Sequence, residues 1–125
     1  MRCILLLLVV LLAFSGCSIT PVEYDYTQIK QEEAKVMMDT REVIVLDVRE
    51  QDEFDAGHIP GALLLPVGSI TKERAAAVIP KTDSVVLVYC RSGNRSKTAS
   101  KALADLGYSN VYEFGGINTW PYEVE

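Results

Sequence analysis

Two continuous apolar runs constrain this chain more than anything else in it: Val43-Ile44-Val45-Leu46-Asp47-Val48 and Ser84-Val85-Val86-Leu87-Val88-Tyr89. Both are rich in β-branched residues and lack polar alternation, the pattern of strands buried on both faces, and such strands belong to parallel sheets flanked by helices. The intervening segments fit that architecture. A helix is expected over 28–38, capped by Thr27, with Ile29, Val36 and Met37 on one face. Another spans Gln51 to Ala56 and stops at Gly57, and Pro60-Gly61 turn the chain into a short strand, Ala62 to Leu65. An Ala-rich helix, Thr71 to Val78, is closed by Pro80; a further helix runs from about Ser96 to Leu106 with Gly107 just past its end. A last strand, Asn110 to Phe114, precedes a Gly115-Gly116 turn and a closing helical turn, Ile117 to Trp120. Strand and helix alternate throughout, so the fold class is α/β with parallel strands.

The chain has 125 residues, the size of one ordinary domain. Its 49% hydrophobic content is inflated by the first sixteen residues, where Met1-Arg2-Cys3 leads into an apolar run from Ile4 to Phe14 and then Ser15-Gly16. That is the layout of a secretory signal peptide, and the run is too short for a stable span of the hydrocarbon, which takes about 20 apolar residues. Phe14-Ser15-Gly16-Cys17 resembles the bacterial lipobox, with Phe14 where that pattern usually carries Leu. The resemblance implies cleavage before Cys17 and a lipid on its sulfur, hence export to the cell envelope, anchored to the periplasmic or outer face of a membrane. The alternative is an ordinary secreted protein with a cysteine near its new terminus. The expected organisation is therefore a signal peptide over 1–16, a lipid-anchored tether over 17–26 and one domain over 27–125.

Seventeen acidic side chains outnumber twelve basic ones, and no long run of Lys or Arg occurs, so a general nucleic-acid partner is excluded. An anion site has to be local, made of a few placed donors. No cluster of His, Cys, Asp and Glu has metal-ligand spacing and no nucleotide-type phosphate loop appears, so neither metal nor cofactor is expected. The chain has three cysteines. On the lipobox resemblance Cys3 would leave with the signal peptide and Cys17 would be blocked by lipid, which would make Cys90 the single free thiol with no internal disulfide. An unpaired thiol in an oxidising compartment points to reactivity or deep burial.

Position argues for reactivity. Cys90 follows the second buried strand, and in open α/β sheets ligands bind beyond the carboxyl ends of the strands. Arg91-Ser92-Gly93-Asn94-Arg95 then forms a tight polar loop ahead of a helix. Its backbone N–H groups can curl around the sulfur as an anion nest, the helix N-terminus adds partial positive charge, and Arg91 and Arg95 strengthen the field. All three favour thiolate over thiol, which makes Cys90 a nucleophile that needs no general base.

Cys90-Arg91-Ser92-Gly93-Asn94-Arg95-Ser96 resembles the active loop of single-domain rhodaneses, the thiosulfate sulfurtransferases. Leu46-Asp47-Val48-Arg49-Glu50, Glu53-Phe54, Gly57-His58-Ile59-Pro60-Gly61-Ala62 and Gly115-Gly116-Ile117-Asn118-Thr119-Trp120 are similar to that family's other landmarks, in order and spacing. The resemblance covers 27–122. It implies a five-stranded parallel sheet with helices on both faces and a Cys90 that carries sulfur as a persulfide. Sulfur would come from thiosulfate or a similar anion and pass to cyanide or a thiol, including a thiol on a protein acceptor. Residues Arg91 to Arg95 would bind the substrate.

A related phosphatase and arsenate-reductase branch resembles this one but has five residues between Cys and Arg, where this chain has four, and commonly a His before the Cys, where this chain has Tyr89. The shorter loop favours a persulfide over a tetrahedral oxyanion. A non-catalytic persulfide carrier or sensor is the rival of another class.

The other polar landmarks read as support. His58, the single histidine, precedes a turn and is structural in the resembling family. Asp47 and Arg49 flank the end of a buried strand and are placed to pair and hold the neighbouring loops, with Glu53 as a third member. Lys97 and Lys101 lie on a solvated helix face, and Trp120 and Tyr122 close the core.

Overall fold

The computed structural model describes residues 22–125. Expectations for the signal peptide and for Cys17 therefore fall outside the described residues. Among the described residues no helix is long and apolar enough to cross a membrane.

Five strands form one parallel sheet: β1 (Thr27–Gln28), β2 (Ile44–Asp47), β3 (Leu63–Leu64), β4 (Val85–Cys90) and β5 (Asn110–Gly116), in the order β1-β5-β4-β2-β3. Strands β2 and β4 are the two apolar runs. They lie side by side with Ile44 opposite Val86 and Asp47 opposite Tyr89. Successive side chains alternate between two cores. Leu46, Val86, Val88, Cys90 and Val111 face α3 (Lys72–Val78) and α4 (Asn94–Asp105), packing on Ala75, Ala99 and Leu103. Val45, Leu87, Tyr89 and Phe114 face the other way, onto Ala34 of α1 (Gln31–Thr40), Phe54 of α2 (Gln51–Ala56) and Trp120. Cys90 thus lies on the same face as α4.

The chain differs from the sequence reading at its start. Thr27 is not a helix cap: it and Gln28 form β1, which pairs with Tyr112 and Glu113 of β5, and α1 begins only at Gln31. Ala34 is the buried residue of that helix and Val36 is exposed, so the core-facing stripe is rotated from the expected one. At the other end β5 runs on through Gly116. Val88 pairs with Glu113 but Cys90 with Gly116, so β5 carries one extra residue against β4, a bulge in which Gly115 adopts φ 93°. The Gly115-Gly116 pair is strand, where a turn was expected.

Local signals set the other boundaries. The Thr71 hydroxyl accepts from Arg74 N–H and starts α3. Glu50 and Glu53 form a reciprocal capping box on α2. Helix α4 ends with Gly107 in the left-handed region, its N–H on Ala104 O and that of Tyr108 on Leu103 O, which satisfies two terminal carbonyls.

One buried charge organises the carboxyl edge of the sheet. Asp47 has no exposed surface, and its carboxylate accepts from Arg49 N–H, Nε and Nη2 and, at 2.7 Å, from the Tyr89 hydroxyl. Arg49 Nη2 also reaches Gly57 O at 2.7 Å, and the Tyr89 oxygen accepts from Ile59 N–H. The set joins β2, the end of α2 and the residue preceding Cys90. Burial pushes the Tyr89 phenol well above its ordinary pKa, and the bond to Asp47 adds to this, so it stays a donor. Arg49→Met should cost about 3–5 kcal/mol by leaving Asp47 buried and unpaired, and Tyr89→Phe about 1–3 kcal/mol. Urea unfolding of the two variants checks the order; equal losses would show that Arg49 is not the group that neutralises Asp47.

Candidate active site

Strand β4 ends in the buried Cys90, and the chain then folds back over its sulfur. Gly93 adopts φ 102°, a left-handed conformation that suits glycine and that allows α4 to begin at Asn94, two residues before the expected start. The Gly93 N–H lies 3.1 Å from Cys90 Sγ, and the N–H groups of Ser92 and Ser96 face the same sulfur. The cradle joins these N–H groups to the Ser96 hydroxyl, at the N-terminus of a twelve-residue helix. Burial pushes the Cys90 thiol up; the Ser96 hydroxyl and the N–H groups of Ser96, Gly93 and Ser92 pull it down. The hydrogen bonds outweigh burial, and the thiol titrates below its ordinary value.

The loop rests on β5. A side chain on Gly116 would collide with the carbonyl of Arg91 and the backbone nitrogen of Ser92, so the close approach of these backbones requires glycine there. The Arg91 carbonyl accepts from Asn118 N–H at 3.1 Å, and Gln31 Nε2 donates to Gly116 O at 2.9 Å. Beside the loop a cleft of about 510 Å³ opens between Ser92, Gly93, Gln28, Gln31 and Glu113.

The side chains of the loop divide by role. Arg91, Ser92 and Asn94 are exposed at its rim. Arg95 is half-buried and turned to Glu53, which it holds in a bidentate pair at 2.6 and 2.9 Å. Glu53 therefore serves Arg95 and not Asp47 and Arg49, which pair with each other. The sequence assigns Arg95 to the field on the sulfur and to the substrate; its guanidinium, though within electrostatic reach of Cys90, is anchored to α2 by Glu53. His58 stands apart from the groups around Cys90: it stacks on Phe54 at 3.8 Å, donates from Nδ1 to Phe54 O and lies 3.4 Å from Glu125. Lys101 pairs with Asp105 on an exposed face, Lys97 lines the cleft, and Trp120 packs between Phe114 and Tyr122. Among the described residues no three His, Cys, Asp or Glu side chains come together as a metal site.

The sequence assigned no role to Ser96, the last residue of the loop motif, and did not single out Glu113. Ser96 lies beneath the sulfur, its Oγ 3.4 Å from Cys90 Sγ, and Glu113 lies behind Ser96, 2% exposed. The signal for Glu113 was present: Val111, Glu113 and Cys90 share one face of the sheet, and a carboxylate at a core-facing strand position needs a partner.

A single Rhodanese-like domain model matches residues 30–122, nearly the whole described chain. The chain belongs to the rhodanese-like family. It is 33% identical to thiosulfate sulfurtransferase GlpE of Coxiella burnetii over 76% of this chain and 87% of that protein. It is 35% identical to thiosulfate sulfurtransferase PspE of Escherichia coli over 58% of this chain and 68% of that one. Among solved structures, an Escherichia coli rhodanese with anions superposes with a TM-score of 0.62 at 30% identity, covering 67% of this chain and 98% of that one. A rhodanese-related protein from Thermoplasma volcanium gives 0.66 at 31% identity, over 80% and 98%.

The Arg95 pair holds the Glu53 carboxyl down to about 2 from an ordinary 4.5. A depressed acid adds stability above its unfolded value and loses it as pH falls through the folded one, so this contribution fades between 4.5 and about 2. The side chains are 34% and 26% exposed, so screening limits the effect to about 1 kcal/mol or less. Glu53→Gln should flatten the fall of the urea midpoint across that window; an unchanged pH slope would show the pair to be without energetic weight.

Proposed function

We propose that the chain is a sulfurtransferase that moves sulfane sulfur from thiosulfate or a similar anion to cyanide or a thiol, through a persulfide on Cys90. The observation that carries this reading is the placement of Cys90 Sγ: a thiol of lowered pKa under convergent main-chain N–H groups at the start of α4. Membership of the rhodanese-like family supports it, as do relatives named thiosulfate sulfurtransferase.

A lone pair of the Cys90 thiolate attacks the outer sulfur of the donor. The donor's S–S bond breaks with its electron pair on the departing sulfite, and the Cys90 sulfur bond forms in its place. The N–H groups of Ser92, Gly93 and Ser96 stabilise the sulfur anion, and Arg91, Ser92 and Asn94 at the rim meet the incoming oxyanion. In the second half the acceptor's lone pair attacks the outer persulfide sulfur and Cys90 leaves as thiolate, so the enzyme returns to its starting state with no external oxidant or reductant. The four-residue spacing from Cys90 to Arg95 favours sulfur over a phosphoryl group.

Cys90→Ser should fold as the wild type and gain no sulfur. Treating both proteins with thiosulfate and weighing them by mass spectrometry tests this: a gain of one sulfur atom on the variant would overturn the assignment. Turnover of thiosulfate and cyanide separates enzyme from carrier, because a carrier loads once and stops.

The Phe14-Ser15-Gly16-Cys17 pattern supports a second part of the proposal, that the protein is exported and held at a membrane surface by lipid on Cys17. The full chain should partition with membranes, and Cys17→Ala should be released or left unprocessed. A wild-type protein recovered in the soluble fraction with a free Cys17 thiol would refute the anchor.

A further inference from the structure

Ser96 has one hydroxyl proton and three acceptors in reach, of which Gly115 O at 3.4 Å is a distant one and Glu113 and a Cys90 thiolate are the competitors. Its Oγ lies 2.7 Å from Glu113 Oε1, to which it donates, and 3.4 Å from Cys90 Sγ, from which it accepts the thiol proton. The Glu113 carboxylate is almost fully buried and takes two other donors, Gly115 N–H at 2.8 Å on the same oxygen and Gln28 Nε2 at 3.2 Å on the other. Gly115 can donate there because the β5 bulge turns its N–H back to Glu113. A hydroxyl that donates to Glu113 cannot at the same moment donate to a thiolate. Ionising Cys90 therefore asks Ser96 to rotate its proton from carboxylate to sulfur, leaving Glu113 with two donors in place of three.

We propose that Glu113 is a positioning residue for Cys90: by claiming the Ser96 proton it works against the thiolate that the main-chain N–H groups favour. This rests on the reading of Cys90 as the nucleophile. The resting thiol and the persulfide both leave the Ser96–Glu113 bond intact, since a persulfide Sγ has no proton to place and carries its charge on the outer sulfur. The bare thiolate alone disturbs it. Glu113 thus sets Cys90 against the state that is both the attacking group and the leaving group, and a thiolate of higher pKa attacks better and leaves less readily. The device favours retention of a loaded sulfur.

Other charges around the pair are arranged on its flanks. Lys30, Glu32 and Lys97 line the cleft onto which Glu113 opens, and Arg95 on the far side is neutralised by Glu53. Arg91 is exposed. None of these is hydrogen-bonded to Ser96 or Glu113 among the described residues, so the hydroxyl is the direct link.

The test is the pH dependence of iodoacetamide alkylation of Cys90, which reads thiol ionisation whether or not the protein turns over thiosulfate. Glu113→Gln presents a neutral amide that competes weakly for the hydroxyl proton, and the alkylation midpoint should fall by about one pH unit, a tenfold gain in thiolate below the midpoint. In a Ser96→Ala background the same substitution should move the midpoint by less than half as much, because the link is gone. A shift of half or more in that background, an upward shift, or none in the wild-type background would overturn the proposal. If Glu113→Gln does not fold, the exposed Gln28 decides: Gln28→Leu strips one donor from Glu113, makes it hold Ser96 harder and should raise the midpoint, and an unmoved midpoint refutes the coupling. Loss of sulfur loading with these shifts intact would count against the sulfurtransferase reading alone.

Discussion

A carboxylate with no exposed surface cannot sit at the end of a central strand unless the protein surrounds it with donors, and Asp47 obliges three parts of the chain to meet there. Arg49 supplies charge and three N–H groups, Tyr89 supplies a hydroxyl, and through Gly57 O and Ile59 N–H the turn after α2 is bound to the same point. Tyr89 immediately precedes Cys90. The side chain that completes the Asp47 shell on one face of the sheet therefore fixes the strand end from which the sulfur projects on the other. The family landmarks at 46–50 and 57–62 hold the floor of the site in place without touching the sulfur.

The two apolar runs were legible because a strand buried on both faces leaves an unambiguous record; which face Cys90 takes came only with the two cores of the structure. The Cys90 loop was legible for a related reason: a polar, Gly-containing segment directly after such a strand has few places to be in an α/β sheet. Strand β1 was not, since two exposed residues at a sheet edge carry neither alternation nor hydrophobicity, and Thr27 is as plausible a helix cap as a strand residue. Missing β1 drew Ile29 into a helix that begins only at Gln31, so the expected stripe was anchored on a residue outside α1 and overlooked Ala34.

The site shows a second limit. Arg95 and Glu53 were both singled out, yet their partnership spans forty-two residues of chain and nothing local announces it. Glu113 was written in the strand pattern as a charge among core residues, but its meaning depended on a bulge that one sequence does not display. Side-chain identity travels well from sequence to function; pairings across the sheet edge do not.

Main-chain N–H groups and the buried Ser96 hydroxyl hold the sulfur, while Arg91, Ser92 and Asn94 are exposed at the rim. Chemistry and selectivity are therefore stored in separate parts of the same short segment, 91–96. The rim can be rewritten to suit a different donor or a docking protein while the anion cradle persists, provided the glycines at 93 and 116 stay bare. A loop built this way can change its customers without relearning its trade, and drift in its rim residues is no measure of drift in its reaction.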